Sequence, residues 1–341
     1  MERARAFHPD VASKPVVVAI GNSQKDSSML DPDARAVADA LTRSLPSPIH
    51  TLGVARAREL LDTPPGKTPL VDLHDVRTVT VDSAGGDINV RVYRPSDAPD
   101  LPALVYIHGG GWTIGGLDGA DDLCRTLSGA ASCVVISVEY RLAPENPFPA
   151  GLDDCVAAFN WTAGNAADLG IDSDRIAIGG DSAGGNLAIA VCQLAVQNGD
   201  PLPCFQLLAY PPTDFDSHRL SWTEHADAPL LTAADARWFM SLYLSADEDR
   251  SNPLVSPEKA TSLAGLPPAH LVLAEVDVLR DDGLAFAERL HADGVPASVT
   301  RYPGVFHGFF TEVGVYARTT QAIDEAVERL RRAWAVGVAT P

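Results

Sequence analysis

Ser182 stands at the centre of Gly180-Asp181-Ser182-Ala183-Gly184, where glycines two residues before and after the hydroxyl allow a turn sharp enough to expose its oxygen. An apolar strand over 175–179 precedes this run and a helical pattern over 186–196 follows it, which places the serine on a strand-to-helix elbow. A serine hydroxyl is a weak nucleophile near neutral pH and needs a base that titrates near the working pH, as imidazole does. His307, in Pro303-Gly-Val-Phe-His307-Gly308, follows the strand pattern 298–302 and is the candidate base. Asp277 follows the strand pattern 271–275 and is the candidate acid that holds the imidazole tautomer and stabilises the imidazolium. Upstream, the apolar run 104–107 leads into His108-Gly-Gly-Gly-Trp112, whose side-chain-free backbone can aim N–H groups at a developing negative charge.

These residues describe acyl transfer with no cofactor. Gly109 and Gly110, with Ala183, are the expected oxyanion donors, and Gly111 can replace one of the two glycines because sequence does not decide which peptides point inward. Trp112, Tyr210 and Trp238 are the expected substrate contacts, although the bulky residues around Trp238 also suit simple helix packing. The chain order Ser182, Asp277, His307 is that of α/β-hydrolases and not of the chymotrypsin or subtilisin arrangements. Asp281 and Asp282 compete with Asp277 for the role of acid, but they fall where a helix begins and suit capping and dipole roles. Asp181 is expected to brace the elbow and His108 to shape the glycine loop, with His218, His225, His270 and His291 structural or solvated. No His and Cys spacing suggests a metal, and no phosphate or dinucleotide loop is present.

Together, His108-Gly-Gly-Gly111, Tyr140-Arg-Leu-Ala-Pro-Glu145, Phe148-Pro-Ala150, Gly180-Asp-Ser-Ala-Gly-Gly185 and His307-Gly-Phe309 resemble the hormone-sensitive-lipase-like family of bacterial carboxylesterases. The resemblance runs from about residue 29 to the C-terminus, with one departure: Asp277-Val-Leu-Arg280 stands where that family usually has Asp-Pro-Leu-Arg. It implies a cofactor-independent esterase for short to medium acyl esters, with N-terminal helices forming part of a cap. An amidase, deacetylase or lactonase would use the same three residues. A ligand-binding receptor on the same scaffold is the alternative from another class, and a complete Ser182, Asp277 and His307 set argues against it, because binding alone does not require one.

The elements that must position these residues read as an α/β protein. Patterns over 75–81 and 88–93 alternate around Ser83-Ala-Gly-Gly86 as an antiparallel hairpin. Strands 103–107, 133–138, 175–179, 205–210, 271–275 and 298–302 then alternate with helices near 121–131, 152–169, 281–292 and 317–335. This rhythm predicts a mostly parallel sheet of about eight strands with helices on both faces. Asp31, Pro32 and the apolar spacing after them predict an N-capped helix, and a second follows near 54–61. The expected division is a tail over 1–28, cap helices over 29–65, and a catalytic domain over 66–341 with a cap insertion at about 211–252 carrying a helix near 233–244.

Composition narrows the partners. A net charge of −19 with a pI near 4.7 disfavours nucleic acid and anionic membranes. No run approaches the ~20 apolar residues of a membrane span, and the apolar stretch 16–20 is too short for a signal peptide. The expectation is a soluble, cytoplasmic protein acting on a small ester, with a second copy of itself as the one macromolecular partner entertained. Its five scattered cysteines read as small core residues of a reducing compartment.

Overall fold

The computed structural model describes residues 17–18, 29–45, 47–62, 71–245 and 250–336. Near the middle of its sheet lies β4 (Leu101–Ile107), whose residues from Ala103 to Ile107 are all buried. A strand covered on both faces must be apolar throughout, which is why this segment shows a continuous run and no alternation. Around it the sheet runs β1-β9-β8-β7-β6-β4-β5-β3-β2. The members are β1 (Val17–Val18), β2 (Asp75–Val81), β3 (Ile88–Arg94), β5 (Val134–Glu139), β6 (Ile171–Asp181), β7 (Gln206–Ala209), β8 (Ala269–Val276) and β9 (Ala297–Phe306). The β2–β3 and β3–β5 pairs are antiparallel, and the others are parallel.

Eight of these strands are those the sequence predicts. The ninth comes from the tail, where Val17 and Val18 pair with Val299 and Thr300 at the edge of the sheet. The remainder of the 1–28 tail lies outside the described residues.

Helices supply the covering layers. Four are α4 (Asp121–Ala131), α7 (Ala183–Asn198), α10 (Arg280–Ala292) and α11 (Ala317–Val336). The helix expected over 152–169 is two: α5 (Ala150–Gly164) and α6 (Ala166–Leu169). The break falls at Asn165, whose side-chain Nδ2 donates to the Trp161 carbonyl at 2.8 Å and so satisfies the end of α5. Before β2 come α1 (Pro32–Ser44), α2 (Ile49–Leu52) and α3 (Val54–Leu61). Asp31 occupies the N-cap position of α1, but its side chain makes no cap bond. It pairs instead with Arg318 Nε on α11 at 3.0 Å, a stronger charged partner than a terminal amide.

Between β7 and β8 the chain forms α8 (Ser221–Glu224) and α9 (Ala233–Tyr243). Thr232 and Asp235 close a reciprocal capping box at the start of α9. The same Asp235 receives both the backbone N–H (2.8 Å) and Nδ1 (2.7 Å) of His50, tying α2 to α9. Arg58 on α3 reaches the Thr113 and Ala143 carbonyls and grips Glu145 with two nitrogens. These contacts hold both helical segments against the end of the sheet where β4, β6, β8 and β9 terminate.

Candidate active site

Ser182 sits at the turn between β6 and α7 with φ 52° and ψ −122°, a conformation that a side chain tolerates only at some cost in strain. The turn closes because its flanking glycines are bare. A Cβ on Gly184 would stand 2.0 Å from the Ile107 carbonyl oxygen, and one on Gly180 would stand 2.5 Å from the same atom. Both obstacles are backbone of the central strand and cannot step aside. Gly184→Ala is therefore expected to lower folding stability by about 3 kcal/mol or to prevent folding, as read by chemical denaturation; a variant as stable as the parent would contradict this packing.

The elbow faces the ends of two other strands. His307, just past β9, places Nε2 2.9 Å from Ser182 Oγ, and its Nδ1 lies 2.7 Å from Asp277 Oδ2. Asp277 is fully buried just past β8, with Oδ1 accepting the Leu279 N–H at 2.9 Å. A carboxylate on Nδ1 favours the tautomer with its proton there, which leaves the Nε2 lone pair directed at the serine. The sequence-predicted Ser182, Asp277 and His307 are thus one hydrogen-bonded line. Val278, where the resembling family has proline, is buried, and Asp277 keeps its bonds to His307 and Leu279 beside it.

The glycine loop requires one correction. Gly109 was expected to direct its N–H toward an oxyanion, but that N–H donates to Asp181 Oδ1 at 3.0 Å and is not free to do so. Asp181 also accepts from the Tyr106 hydroxyl at 2.7 Å, so it clamps the loop to the elbow as a brace. Gly110 and Gly111 come next, with φ of 110° and 57°. A Cβ on Gly110 would strike the Ile114 carbonyl at 2.0 Å, and one on Gly111 the Phe239 ring at 2.3 Å. Their amides take no acceptor among the described residues, nor does the Ala183 amide at the first turn of α7. Three unpaired donors therefore border the serine: Gly110, Gly111 and Ala183. His108 supports the loop through Nδ1 against the Gly109 carbonyl at 2.7 Å and stacks on Tyr140 at 4.4 Å. Burial lowers its pKa to about 4, which keeps it neutral and outside any proton relay.

A cavity of about 420 Å³ opens over Ser182, walled largely by apolar residues of α1, α2, α3 and α9. Trp112 lines it, stacked on Tyr243 at 4.6 Å. The other two expected substrate contacts differ. Tyr210 is fully buried behind the His307 ring at 4.5 Å and does not line the cavity. Trp238 is half-buried against Phe239, 4.9 Å away, and does not line it either. Along α9 it is Ala236, Phe239 and Met240 that face the cavity, three and four residues apart as one helical face requires.

Asp281 and Asp282 stand in the first turn of α10, as the dipole role requires, but the helix has no side-chain cap bond and their partners lie elsewhere. Asp281 pairs with Arg280 and accepts the Ser221 N–H. Asp282 is fully buried and accepts from the Ser217 hydroxyl, Trp222 Nε1 and Arg219. Burial pushes its carboxyl up to about 7 despite these donors. Both aspartates anchor the 211–252 segment to α10, a role that only the long-range partners reveal. His225 likewise contacts Arg280 at 2.8 Å, and His270 contacts Ser298 at 2.8 Å, away from the serine. Among the described residues no group of His, Cys, Asp and Glu could hold a metal ion, and no helix is long and apolar enough to cross a membrane.

Known proteins are similar to this chain in sequence and fold. Residues 104–311 match the family described as having the alpha/beta hydrolase fold. Carboxylesterase NlhH of Mycobacterium tuberculosis is 44% identical over 286 residues, covering 82% of this chain and 89% of the relative. Ethyl acetate hydrolase of Pseudomonas putida is 37% identical over 294 residues, covering 84% and 92%. Among solved structures, a hyperthermophilic esterase from the archaeon Pyrobaculum calidifontis superposes with a TM-score of 0.84 at 36% identity, covering 89% of this chain and 98% of that one.

Proposed function

Because the chain belongs to the hormone-sensitive-lipase-like branch of the alpha/beta-hydrolase family and is a carboxylic ester hydrolase, we propose that it cleaves short to medium acyl esters through an acyl-enzyme on Ser182. The observation that carries this reading is the continuous line Ser182 Oγ, His307, Asp277, with unpaired amides beside it and an apolar cavity above.

In the proposed reaction Ser182 Oγ attacks the acyl carbon as its proton passes to His307 Nε2. Asp277, bonded to the Nδ1–H, stabilises the resulting imidazolium without itself taking the proton. The carbonyl oxygen becomes an oxyanion received by Gly110, Gly111 and Ala183, each donor worth ~3 to 4 kcal/mol in the barrier. Collapse breaks the ester C–O bond, and the leaving alkoxide takes the proton from His307. Water then gives its proton to the same Nε2, attacks the acyl carbon, and the acid leaves as the proton returns to Ser182.

The helices α1 to α3 and the 211–252 segment would act as the cap over this site. Val37, Leu41, Ile49, Leu60 and Leu61 from the first group and Phe239 and Met240 from the second supply its walls. Excluding water there strengthens every charge interaction at the serine. A cavity of about 420 Å³ sits in the lower part of the roughly 300 to 1,000 Å³ usual for ligand sites. Acyl chains of two to eight carbons are the proposed range, in keeping with the substrate in the name of the ethyl acetate hydrolase relative. Turnover of p-nitrophenyl acetate, butyrate, octanoate and palmitate by the purified protein is expected to peak before or at octanoate and fall steeply at palmitate. A palmitate optimum would overturn the chain-length reading, and no turnover of any ester would overturn the reaction class.

A further inference from the structure

Glu312 enters the cavity wall just after the single turn Phe309–Thr311 that follows His307. It is half-buried, and among the described residues its carboxylate takes no hydrogen bond and no ion pair, burial and the Asp122 charge being the influences on it. The other carboxylate on the wall, Asp181, is committed to Tyr106 and Gly109. Among the described residues, neither lysine nor arginine lines the cavity. A carboxylate taken partly out of water with no compensating cation is unfavourable unless something arrives to pair with it. Burial holds its carboxyl above the usual range, and the nearby Asp122 carboxylate on α4 raises it further.

Two further features select the chemistry of the missing partner. Tyr316, which also lines the cavity, is an electrostatic neighbour of Glu312 and packs edge-on against Phe306 at 6.0 Å. Aromatic rings beside an anion form a setting that attracts a cation by both charge and ring quadrupole. A hydroxyl would satisfy one lone pair and leave the charge unbalanced, whereas an ammonium group supplies both donor and charge. A carboxylate-bearing ester would meet repulsion from Glu312, with no lysine or arginine among the described lining residues to offset it.

We propose that Glu312 is a specificity-determining residue that selects esters carrying a protonated amine remote from the scissile bond. This rests on the hydrolase reading above and adds a substrate class to it.

Two matched series test the idea, one for each side of the ester. The acyl series compares p-nitrophenyl 6-aminohexanoate, heptanoate and hydrogen pimelate, which differ only in a terminal ammonium, methyl or carboxylate. The alcohol series compares 2-(dimethylamino)ethyl butyrate with 3-methylbutyl butyrate. The wild type is expected to favour the ammonium ester over its neutral isostere by about tenfold in kcat/KM in at least one series, in line with a close charge pair at a partly desolvated site. In Glu312→Gln that ratio should fall to about one, and Glu312→Lys should favour the pimelate over the 6-aminohexanoate. Because the readout is a ratio, a general change in turnover cancels. A wild-type ratio near one in both series, or a preference that survives Glu312→Gln, overturns the proposal. Failure of the wild type to cleave even p-nitrophenyl butyrate is a different result, which takes down the hydrolase reading itself and the selectivity with it.

Discussion

Ser182→Ala is expected to lower ester turnover by about 10⁴ to 10⁶ while leaving the fold in place. The substitution deletes one oxygen from a turn whose shape is set by Gly180 and Gly184 against the Ile107 carbonyl, and alanine keeps the Cβ that this position already accommodates. The Ser182 N–H donates to the Ala209 carbonyl and its own carbonyl accepts from Asn186, so the backbone bonds of the elbow survive. What disappears is the proposed route through a covalent intermediate, leaving only whatever Gly110, Gly111 and Ala183 can do for direct attack by water. Denaturation midpoints should match between parent and variant, while steady-state turnover collapses and labelling by an active-site phosphonate is lost. Near-normal turnover in a cleanly purified variant would remove Ser182 from the mechanism.

Asp277→Asn should follow at about 10⁴ in turnover, because an amide in place of the carboxylate presents a donor to His307 Nδ1 and favours the opposite tautomer. The proton would then sit on Nε2 facing Ser182, where a lone pair is needed. The rival acids make this a sharp comparison. Asp282 is as buried as Asp277 but its partners are Ser217, Trp222 and Arg219, none of which touches His307. Asp282→Asn should weaken the attachment of the 211–252 segment and lower the melting temperature, while the folded fraction keeps turnover within about tenfold of the parent, since only that attachment and not the proton relay has changed. If Asp282→Asn were the catalytically dead variant and Asp277→Asn the active one, the assigned acid would be wrong.

By itself the sequence determined eight of the nine strands of the sheet, most of its helical layers and the three residues that meet at the serine. These were legible because each is a local pattern: a continuous apolar run for β4, a glycine-flanked serine after β6, and an Asp and a His each just past a strand end. Parallel strands bring their C-terminal ends to one side, so residues 125 positions apart such as Ser182 and His307 converge once the strand order is right. Tertiary structure alone decided the direction of each glycine amide. Consecutive residues without side chains carry no preference between inward and outward peptides, and the choice fell to Asp181, 72 positions from Gly109, which captures one N–H and leaves the next two free. The same limit hid the fate of Tyr210, Trp238 and Asp282. An aromatic ring or an acid early in a helix suits several environments equally well, and burial against partners distant in sequence selected one. Glu312 had no signal at all, since one glutamate in a loop is ordinary until the described walls around it prove to be largely apolar and without a lysine or arginine.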